Sequence, residues 1–326
     1  MRGRAPVAEP GTLRLIADIG GTNARFAIAQ NGGYSALEHV EVRRFASLHD
    51  AAAAYLAKLP SHLKPSEAVI DVAGPVLGDR VTLTNLGWSF SIEGLRQALG
   101  LTALRVLNDF AAAAMAVPYL PAADRFLIGP TCPQVRGPIG VVGPGTGLGV
   151  GALVPASGKW VLVPGEGGHV TLPTSTPEED AIAAILRTRW DHVSAERALS
   201  GAGLVNLYQA VCTIERITPQ SLSPADVTDR AVQGTDPACV RAFGHFCAML
   251  GTVAGDLALT IGATGGVYIA GGILPRFREA FAASGFRERF ESKGRFRDLL
   301  RRIPSYLILE ESPALIGLAN MPAEAA

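Results

Sequence analysis

The chain contains 326 residues, which is enough for about two domains at roughly 150 residues each. It carries 29 Lys plus Arg and 29 Asp plus Glu, so the formal net charge is zero and electrostatic attraction to nucleic acid or to an anionic membrane is not expected as its main activity. A hydrophobic fraction of 48% argues against a disordered chain.

Short apolar runs with glycine-rich ends recur along the chain and predict strands, several of them buried on both faces. They are Leu13 to Ile19, Ala24 to Ala29, Ala68 to Ala73, Leu104 to Leu107, Ile139 to Val142, Trp160 to Val163, Val267 to Ala270 and Tyr306 to Leu309. Helical patterns lie between these runs. One begins after Ser47, and another follows a capping box formed by Thr176 and Glu179 with Pro177 at the first helical position. This alternation predicts an α/β protein with largely parallel sheets.

The cysteines and the uncharged stretches indicate where the chain resides. Cys132, Cys212, Cys239 and Cys247 form no paired motif, which predicts reduced thiols in a cytoplasmic protein. The first twelve residues lack the apolar segment of a targeting signal and predict a flexible tail. The uncharged stretches 137–158 and 257–275 are broken repeatedly by glycine, which predicts turns between buried strands and no membrane span.

Two strand–turn–strand segments carry glycine clusters that suit phosphate binding. The first is Asp18-Ile-Gly-Gly-Thr-Asn-Ala-Arg25. Here Gly20 and Gly21 let the backbone approach an anion, Thr22 offers a hydroxyl, and Asp18 could face a hydrated divalent cation. The second is Gly143-Pro-Gly-Thr-Gly-Leu-Gly149, which repeats the pattern without a carboxylate. The alternative is an ordinary tight hairpin for the first segment and a flexible loop for the second, but their repetition indicates two similar halves.

A polar pair, Asn108 and Asp109, ends a predicted strand directly before an alanine-rich helical run. Amide dipoles at a helix N-terminus favour an ionised carboxylate, so Asp109 could accept a proton. The alternative is that the pair only caps the helix.

A third strand end, Val163-Pro-Gly-Glu166-Gly-Gly-His169-Val170, presents a carboxylate and an imidazole. Such groups can bind the vicinal hydroxyls of a sugar, and the alternative is a plain loop. One His and one Glu are too few ligands for a zinc site. Glu196, taken alone, indicates only a solvated charge.

Taken in their order, these segments resemble the bacterial ATP-dependent glucokinases, in the hexokinase branch of the actin-like ATPase superfamily. The resemblance extends from about Leu13 to about Asn320. It implies a two-domain α/β fold of the actin-like ATPase (ribonuclease H-like) type, with a substrate cleft between the domains. It also implies transfer of the ATP γ-phosphoryl group to the 6-hydroxyl of glucose. No paired cysteines follow His169, so the resemblance is not to the zinc-containing sugar kinases.

The resemblance further implies roles for individual residues. Asp109 would be the general base, and the hexose pocket would be lined by Asn108, Asp109, Glu166, His169 and Glu196. The nucleotide would contact Asp18, Gly20, Gly21, Thr22, Asn23, Gly145, Thr146, Gly147, Gly271 and Gly272, with Asp18 holding Mg²⁺ through water. The segment from Asn85 to Ser91 would lie on the lid side of the sugar. Pro144 lacks an N–H group, so one possible phosphate donor is missing from the second hairpin.

The expected domain organisation follows from the same comparison. We expect a flexible tail of residues 1–12, a small α/β domain of residues 13–117 and 305–321, and a large α/β domain of residues 118–304. The expected ligands are glucose and ATP with Mg²⁺, and the expected assembly is a homodimer without nucleic-acid or membrane partners.

Two alternatives remain open: a kinase for another hexose, and a non-catalytic actin-like ATPase or sugar sensor. About twelve residues precede the first predicted strand, too few for a helix-turn-helix, so a DNA-binding repressor is not expected. Three acidic residues in the implied pocket, Glu166, Glu196 and Asp109, suit neutral hydroxyls and would repel a carboxylate acceptor.

Overall fold

The computed structural model of the chain describes residues 11–83, 86–133 and 135–323. Its strands are β1 (Arg14–Ile19), β2 (Asn23–Gln30), β3 (Gly33–Glu41), β4 (Glu67–Val72), β5 (Arg80–Leu83), β6 (Trp88–Ser91), β7 (Ala103–Asn108), β8 (Arg125–Ile128), β9 (Ile139–Pro144), β10 (Leu148–Ala156), β11 (Lys159–Gly165), β12 (Gly266–Ile269) and β13 (Ser305–Ile308). Its helices are α1 (Leu48–Lys58), α2 (Ile92–Ala98), α3 (Asp109–Ala116), α4 (Pro177–Arg187), α5 (Gly201–Glu215), α6 (Pro224–Gln233), α7 (Pro237–Ile261), α8 (Arg278–Ala282), α9 (Phe286–Glu291), α10 (Arg297–Arg301) and α11 (Pro313–Ala319). The predicted α/β class is confirmed. Most of the predicted tail, and Asn85 of the lid-side segment, lie outside the described residues.

Two sheets repeat one strand order, and both mix parallel with antiparallel pairs, so the prediction of largely parallel sheets is wrong. The first sheet has the order β3-β2-β1-β4-β7, and the second has β11-β10-β9-β12-β13-β8. In the first, β1 is antiparallel to β2 and parallel to β4, which is parallel to β7. In the second, β9 is antiparallel to β10 and parallel to β12, which is parallel to β13. The equivalent hairpins β1–β2 and β9–β10 carry the two glycine turns, as the repeated sequence pattern predicts.

The chain divides into two compact units. The described residues of 11–121, 156–162 and 310–323 form the first unit, and those of 122–155 and 163–309 form the second. This division differs from the expected domains at residues 305–309, which lie in the second unit, and at residues 118–121 and 156–162, which lie in the first. Strand β13 belongs to the second unit because its backbone pairs with β12 and β8. The C-terminal helix α11 belongs to the first unit, where it packs against α3.

The central strands of the first unit are buried on both faces. Leu15 and Ile16 of β1 and Ile70 and Val72 of β4 are completely buried. Since adjacent side chains on a strand point to opposite faces, apolar groups cover both sides of this sheet. Helix α1 begins as predicted at Ser47, whose hydroxyl accepts a hydrogen bond from the Asp50 N–H at 3.1 Å.

The second unit is built around α7, a 25-residue helix in which Phe246 and Leu250 are completely buried. Within the described ranges, α7 alone is long and apolar enough to cross a membrane, and 67% of its most apolar window is buried inside the protein. The uncharged stretch 137–158 contains β9 and β10, as predicted. The stretch 257–275 begins inside α7, so the prediction of turns between strands is wrong for its first part.

Helix α4 begins at Thr176, whose hydroxyl accepts a hydrogen bond from the Glu179 N–H at 3.2 Å. The predicted capping box is only half formed. The Glu179 carboxylate instead accepts a hydrogen bond from the Ser175 N–H at 2.7 Å and pairs with Arg289. Because Glu179 is 1% exposed, this contact is a buried ion pair that joins α4 to α9.

Candidate active site

The first glycine hairpin connects β1 to β2 in the first unit. Gly20 donates its N–H to the Asn23 carbonyl at 3.0 Å, which closes the turn, and Gly21, Thr22 and Asn23 are exposed. Asp18 forms an ion pair with Arg25 at 2.8 Å, opposite it in the strand register. The exposed backbone at the tip of this hairpin is available to a phosphate group, as the glycine pattern predicts.

The junction between β7 and α3 presents the polar pair of the sequence prediction. The Asn108 side-chain oxygen accepts hydrogen bonds from the N–H groups of Phe110 at 2.9 Å and Ala111 at 3.4 Å, so Asn108 is the helix cap. Its amide group donates to the Gly74 carbonyl at 3.2 Å. Asp109 is the first residue of the helix, and its Oδ1 atom accepts a hydrogen bond from the Phe110 N–H at 2.7 Å. Capping therefore explains Asn108, and the N–H of the first helical turn holds one oxygen of Asp109.

The pKa of the Asp109 carboxyl group is raised above its ordinary value, mainly because the group is buried. The Phe110 N–H lowers the pKa and the nearby charge of Asp18 raises it, and burial has the larger effect. The sequence analysis considered only the helix N-terminus, which lowers the pKa of Asp109. In the structure the pKa of Asp109 is raised instead, because burial outweighs the helix N-terminus. A carboxylate with a raised pKa is a stronger base.

Sequence reasoning missed a third carboxyl group, that of Asp71, which lies beside those of Asp18 and Asp109. Strand β4 lies between β1 and β7, and its register places Asp71 opposite Asp18. Asp71 is completely buried, and neither of its carboxyl oxygens makes a hydrogen bond with a described residue. Burial raises the pKa of Asp71 well above its ordinary value, and the charges of Asp18 and Asp109 add to this effect. A single Asp inside the apolar run Ala68 to Ala73 was the signal in the sequence.

The described residues contain no cluster of three or more His, Cys, Asp or Glu side chains that could hold a metal ion. Mg²⁺ is usually bound through one or two carboxylates, several waters and the phosphates of its substrate. Asp18, with a side chain 16% exposed beside a glycine turn, has the oxygen chemistry that this kind of binding requires. The residues present therefore fit Mg²⁺ bound through water.

The second glycine hairpin connects β9 to β10 in the second unit. Gly145 donates its N–H to the Gly147 carbonyl at 2.8 Å, and the Gly145 carbonyl accepts the N–H of Gly201 at 2.8 Å. Thr146 is exposed at the tip, whereas Pro144 is buried at the end of β9. The proline therefore terminates the strand.

Glu196 contacts this hairpin directly. Its Oε2 atom accepts the N–H of Leu148 at 3.0 Å, and a Cβ atom at Gly147 would lie 2.5 Å from the same oxygen. Glu196 is only partly exposed. The interpretation of Glu196 as a solvated charge is therefore wrong, and the structure places it beside one of the residues predicted to bind phosphate.

Glu166 and His169 are both exposed, on a short turn after β11. The glycines between them allow a close approach to β10, because a Cβ atom at Gly168 would lie 1.9 Å from the Leu148 carbonyl oxygen. A backbone hydrogen bond from Ala195 to Val170, at 2.8 Å, connects this turn to the segment that carries Glu196. Glu166, His169, Glu196 and the second hairpin thus belong to one connected region.

Gly271 also packs against the second hairpin. It has a φ of +93°, in the region that favours glycine, and a Cβ atom there would lie 2.3 Å from the Pro144 carbonyl oxygen. Gly272 is exposed beside it. A backbone surface without side chains therefore lies next to the hairpin.

Comparison with known proteins decides the family. Residues 15–325 match the family model described as glucokinase. The chain belongs to the glucokinase family. A glucokinase-family relative from Nitrobacter hamburgensis, named glucokinase, is 67% identical over 312 residues, covering 96% of this chain and 98% of the relative. A Yersinia pestis protein named glucokinase is 47% identical over 94% of this chain and 95% of its own length.

The solved structures confirm the fold of this glucokinase-family chain. The crystal structure of a glucokinase from an Antarctic psychrotroph superimposes with a TM-score of 0.88 at 38% identity, covering 95% of this chain and 98% of that one. The predicted actin-like ATPase fold is therefore confirmed.

Proposed function

We propose that this chain transfers the γ-phosphoryl group of ATP to the 6-hydroxyl of glucose, giving glucose 6-phosphate and ADP. Family membership and the 67% identity to a protein named glucokinase support the reaction. The observation that carries the mechanism is the partly buried Asp109 carboxyl group at the start of α3, with one oxygen held by the Phe110 N–H.

Asp109 acts as the general base in this proposal. As the 6-hydroxyl oxygen forms its bond to the γ-phosphorus, the hydroxyl proton passes to Asp109 and the bond between the γ-phosphorus and the ADP oxygen breaks. The raised pKa strengthens Asp109 as a proton acceptor, and a positioned base typically contributes about 10² to 10⁴ in rate. Asn108 caps the helix that fixes Asp109, and its amide group donates to the Gly74 carbonyl.

The remaining sugar contacts are assigned to Glu166, His169 and Glu196. Glu166 and His169 are exposed, so their side chains are available to hydroxyl groups. Carboxylates accept hydrogen bonds from neutral hydroxyls and repel anionic acceptors, which favours a sugar over a carboxylic acid.

The nucleotide contacts are assigned to the two hairpins and to the glycines after β12. Gly21, Thr22, Asn23 and Thr146 are exposed at the two turns, and Gly20, Gly145 and Gly147 are partly exposed, which supports phosphate contacts. Gly271 and Gly272 support contact with adenosine. Asp18 would hold Mg²⁺ through water. When bound, Mg²⁺ neutralises charge on the phosphates during transfer.

We also propose that the protein is a cytoplasmic homodimer. The free thiols, three of which are buried, fit a reducing compartment. Sedimentation equilibrium should give twice the 34.0 kDa mass of the chain, and a mass of 34.0 kDa would contradict the dimer.

The reaction is tested by measuring ADP formation from MgATP with glucose, fructose, mannose, N-acetylglucosamine or acetate, and without an acceptor. The proposal predicts turnover with glucose well above the control. Faster turnover with another hexose would reassign the substrate, and acceptor-independent hydrolysis or none would indicate an actin-like ATPase or a sensor.

A further inference from the structure

A cavity of about 410 Å³ lies beside the tip of the first glycine hairpin, within the first unit. Gly21 of the hairpin, Arg43 and Phe45 of the segment after β3, and Trp88 of β6 contribute to its lining. Among the described residues that line the cavity, Arg43 carries the only charge. The cavity therefore favours an anionic ligand, and its two aromatic side chains suit the carbon skeleton of an organic one.

The backbone fixes Arg43 relative to the hairpin. Val42 donates its N–H to the Thr22 carbonyl at 3.1 Å, and the Val42 side chain is 1% exposed. Since Arg43 follows Val42 directly, the segment that carries the guanidinium group is attached to the turn that carries Gly21. Little ordering of the backbone is therefore needed for both to contact one ligand.

Arg43 is also chemically available. Arg25, in the strand β2 of the hairpin, is paired with Asp18 at 2.8 Å, so its charge is already compensated. Arg43 is exposed and makes no hydrogen bond or ion pair with a described residue. A guanidinium group presents a planar set of N–H donors that matches the oxygens of a phosphate group in two parallel hydrogen bonds.

We propose that Arg43 and the Gly21 backbone form a binding site for the terminal phosphate group of an organic phosphate. The inference rests on the proposed function, because that reaction brings two such ligands to the protein, ATP and glucose 6-phosphate. Both carry a dianionic terminal phosphate, and the test distinguishes between them.

The test compares Arg43→Gln with the matched control Arg44→Gln by calorimetric titration with MgATP and with glucose 6-phosphate. Arg44 is the adjacent exposed arginine and does not line the cavity, so both variants change the net charge equally. We expect Arg43→Gln to weaken the binding of at least one ligand about tenfold or more, and Arg44→Gln to change it less than about twofold. Arg43→Lys, which keeps the charge but loses the planar donors, should give an intermediate loss.

A loss confined to MgATP assigns the site to the nucleotide, and a loss confined to glucose 6-phosphate assigns it to the product. Equal binding of both ligands by Arg43→Gln and Arg44→Gln would overturn the inference. Glucose-dependent ADP formation by the unmodified chain is measured in parallel. If that activity is present and the binding is unchanged, the inference alone fails, whereas absence of the activity contradicts the proposed function.

Discussion

Asp71 is a completely buried acid on the strand between those that carry Asp18 and Asp109. Its carboxyl group makes no hydrogen bond with a described residue, so its charged form is costly. The pKa of Asp71 is raised in the folded chain by burial and then by the two neighbouring carboxylates. The stability that its protonated form contributes is present below the unfolded pKa of about 3.9 and is lost as the pH rises through the folded pKa.

Asp71→Asn removes this titration while keeping the shape of the side chain. We therefore expect the free energy of unfolding of Asp71→Asn, relative to the unmodified chain, to increase from pH 4 to pH 8. The increase is at most about 1.4 kcal/mol for each pH unit between the two pKa values. Asp109 is present in both proteins, so its own titration largely cancels. Urea unfolding at pH 4, 6 and 8 measures the difference, and a constant difference would show that Asp71 is ionised throughout.

The buried ion pair between Glu179 of α4 and Arg289 of α9 connects two elements of the second unit. Arg289 Nη1 lies 2.9 Å from Glu179 Oε1, and Glu179 is 1% exposed. Arg289→Met leaves a buried carboxylate without its partner, which typically costs about 3–5 kcal/mol. The matched control is Lys58→Met, because Lys58 pairs with Glu38 at the surface and such pairs contribute about 0–1 kcal/mol. Equal unfolding free energies for the two variants would contradict the assignment of a structural role to the buried pair.

The turn after β11 depends on close packing at Gly168. Since a Cβ atom there would lie 1.9 Å from the Leu148 carbonyl oxygen, Gly168→Ala should reduce the free energy of unfolding by about 1–3 kcal/mol. Gly244, an exposed position inside α7 where a Cβ atom would meet nothing within 4 Å, provides the control. Gly244→Ala should instead stabilise the chain by about 0.5–1 kcal/mol. Thermal unfolding measures both changes, and an unchanged Tm for Gly168→Ala would contradict the packing.

Sequence patterns predicted the strands that contain a buried apolar run and the helices that begin with a local cap. Strands β1, β4 and β9 were predicted because apolar runs mark strands buried on both faces. Strand β3 was not, because eight of its nine residues are exposed or partly exposed and show no apolar alternation. The strands β5, β6 and β8 have four residues each, of which at most two are buried, so they form no apolar run. The equally short β12 and β13 were predicted because most of their residues are buried. Helix starts at Ser47 and Thr176 were found because caps are local.

The whole molecule combines two units with one repeated strand order. Site residues that a local sequence pattern marks could be predicted, whereas contacts that depend on strand register or tertiary packing could not. Asp18, Asn108 and Asp109 were predicted because each lies at or next to the end of a strand, beside a glycine turn or a helix start. The proximity of Asp71 to Asp18 depends on the parallel register of β1 and β4, and that of Arg43 to Gly21 depends on the tertiary contact at Val42. The lone Asp in an apolar run marks Asp71 itself, but the order of residues reveals neither of these two proximities. The contact between Glu196 and the second hairpin, 48 residues away, was inaccessible for the same reason.

The measurement that tests the central claim most directly compares glucose-dependent ADP formation by the unmodified chain and by Asp109→Asn. The variant keeps the size of the side chain and loses the base. We predict a fall in kcat of about 10² to 10⁴ with the KM for MgATP changed less than about twofold, because the base acts in the transition state and the nucleotide is bound by other residues. A folded Asp109→Asn variant with full glucose-dependent turnover would contradict the assignment of Asp109 as the base, and with it the proposed mechanism.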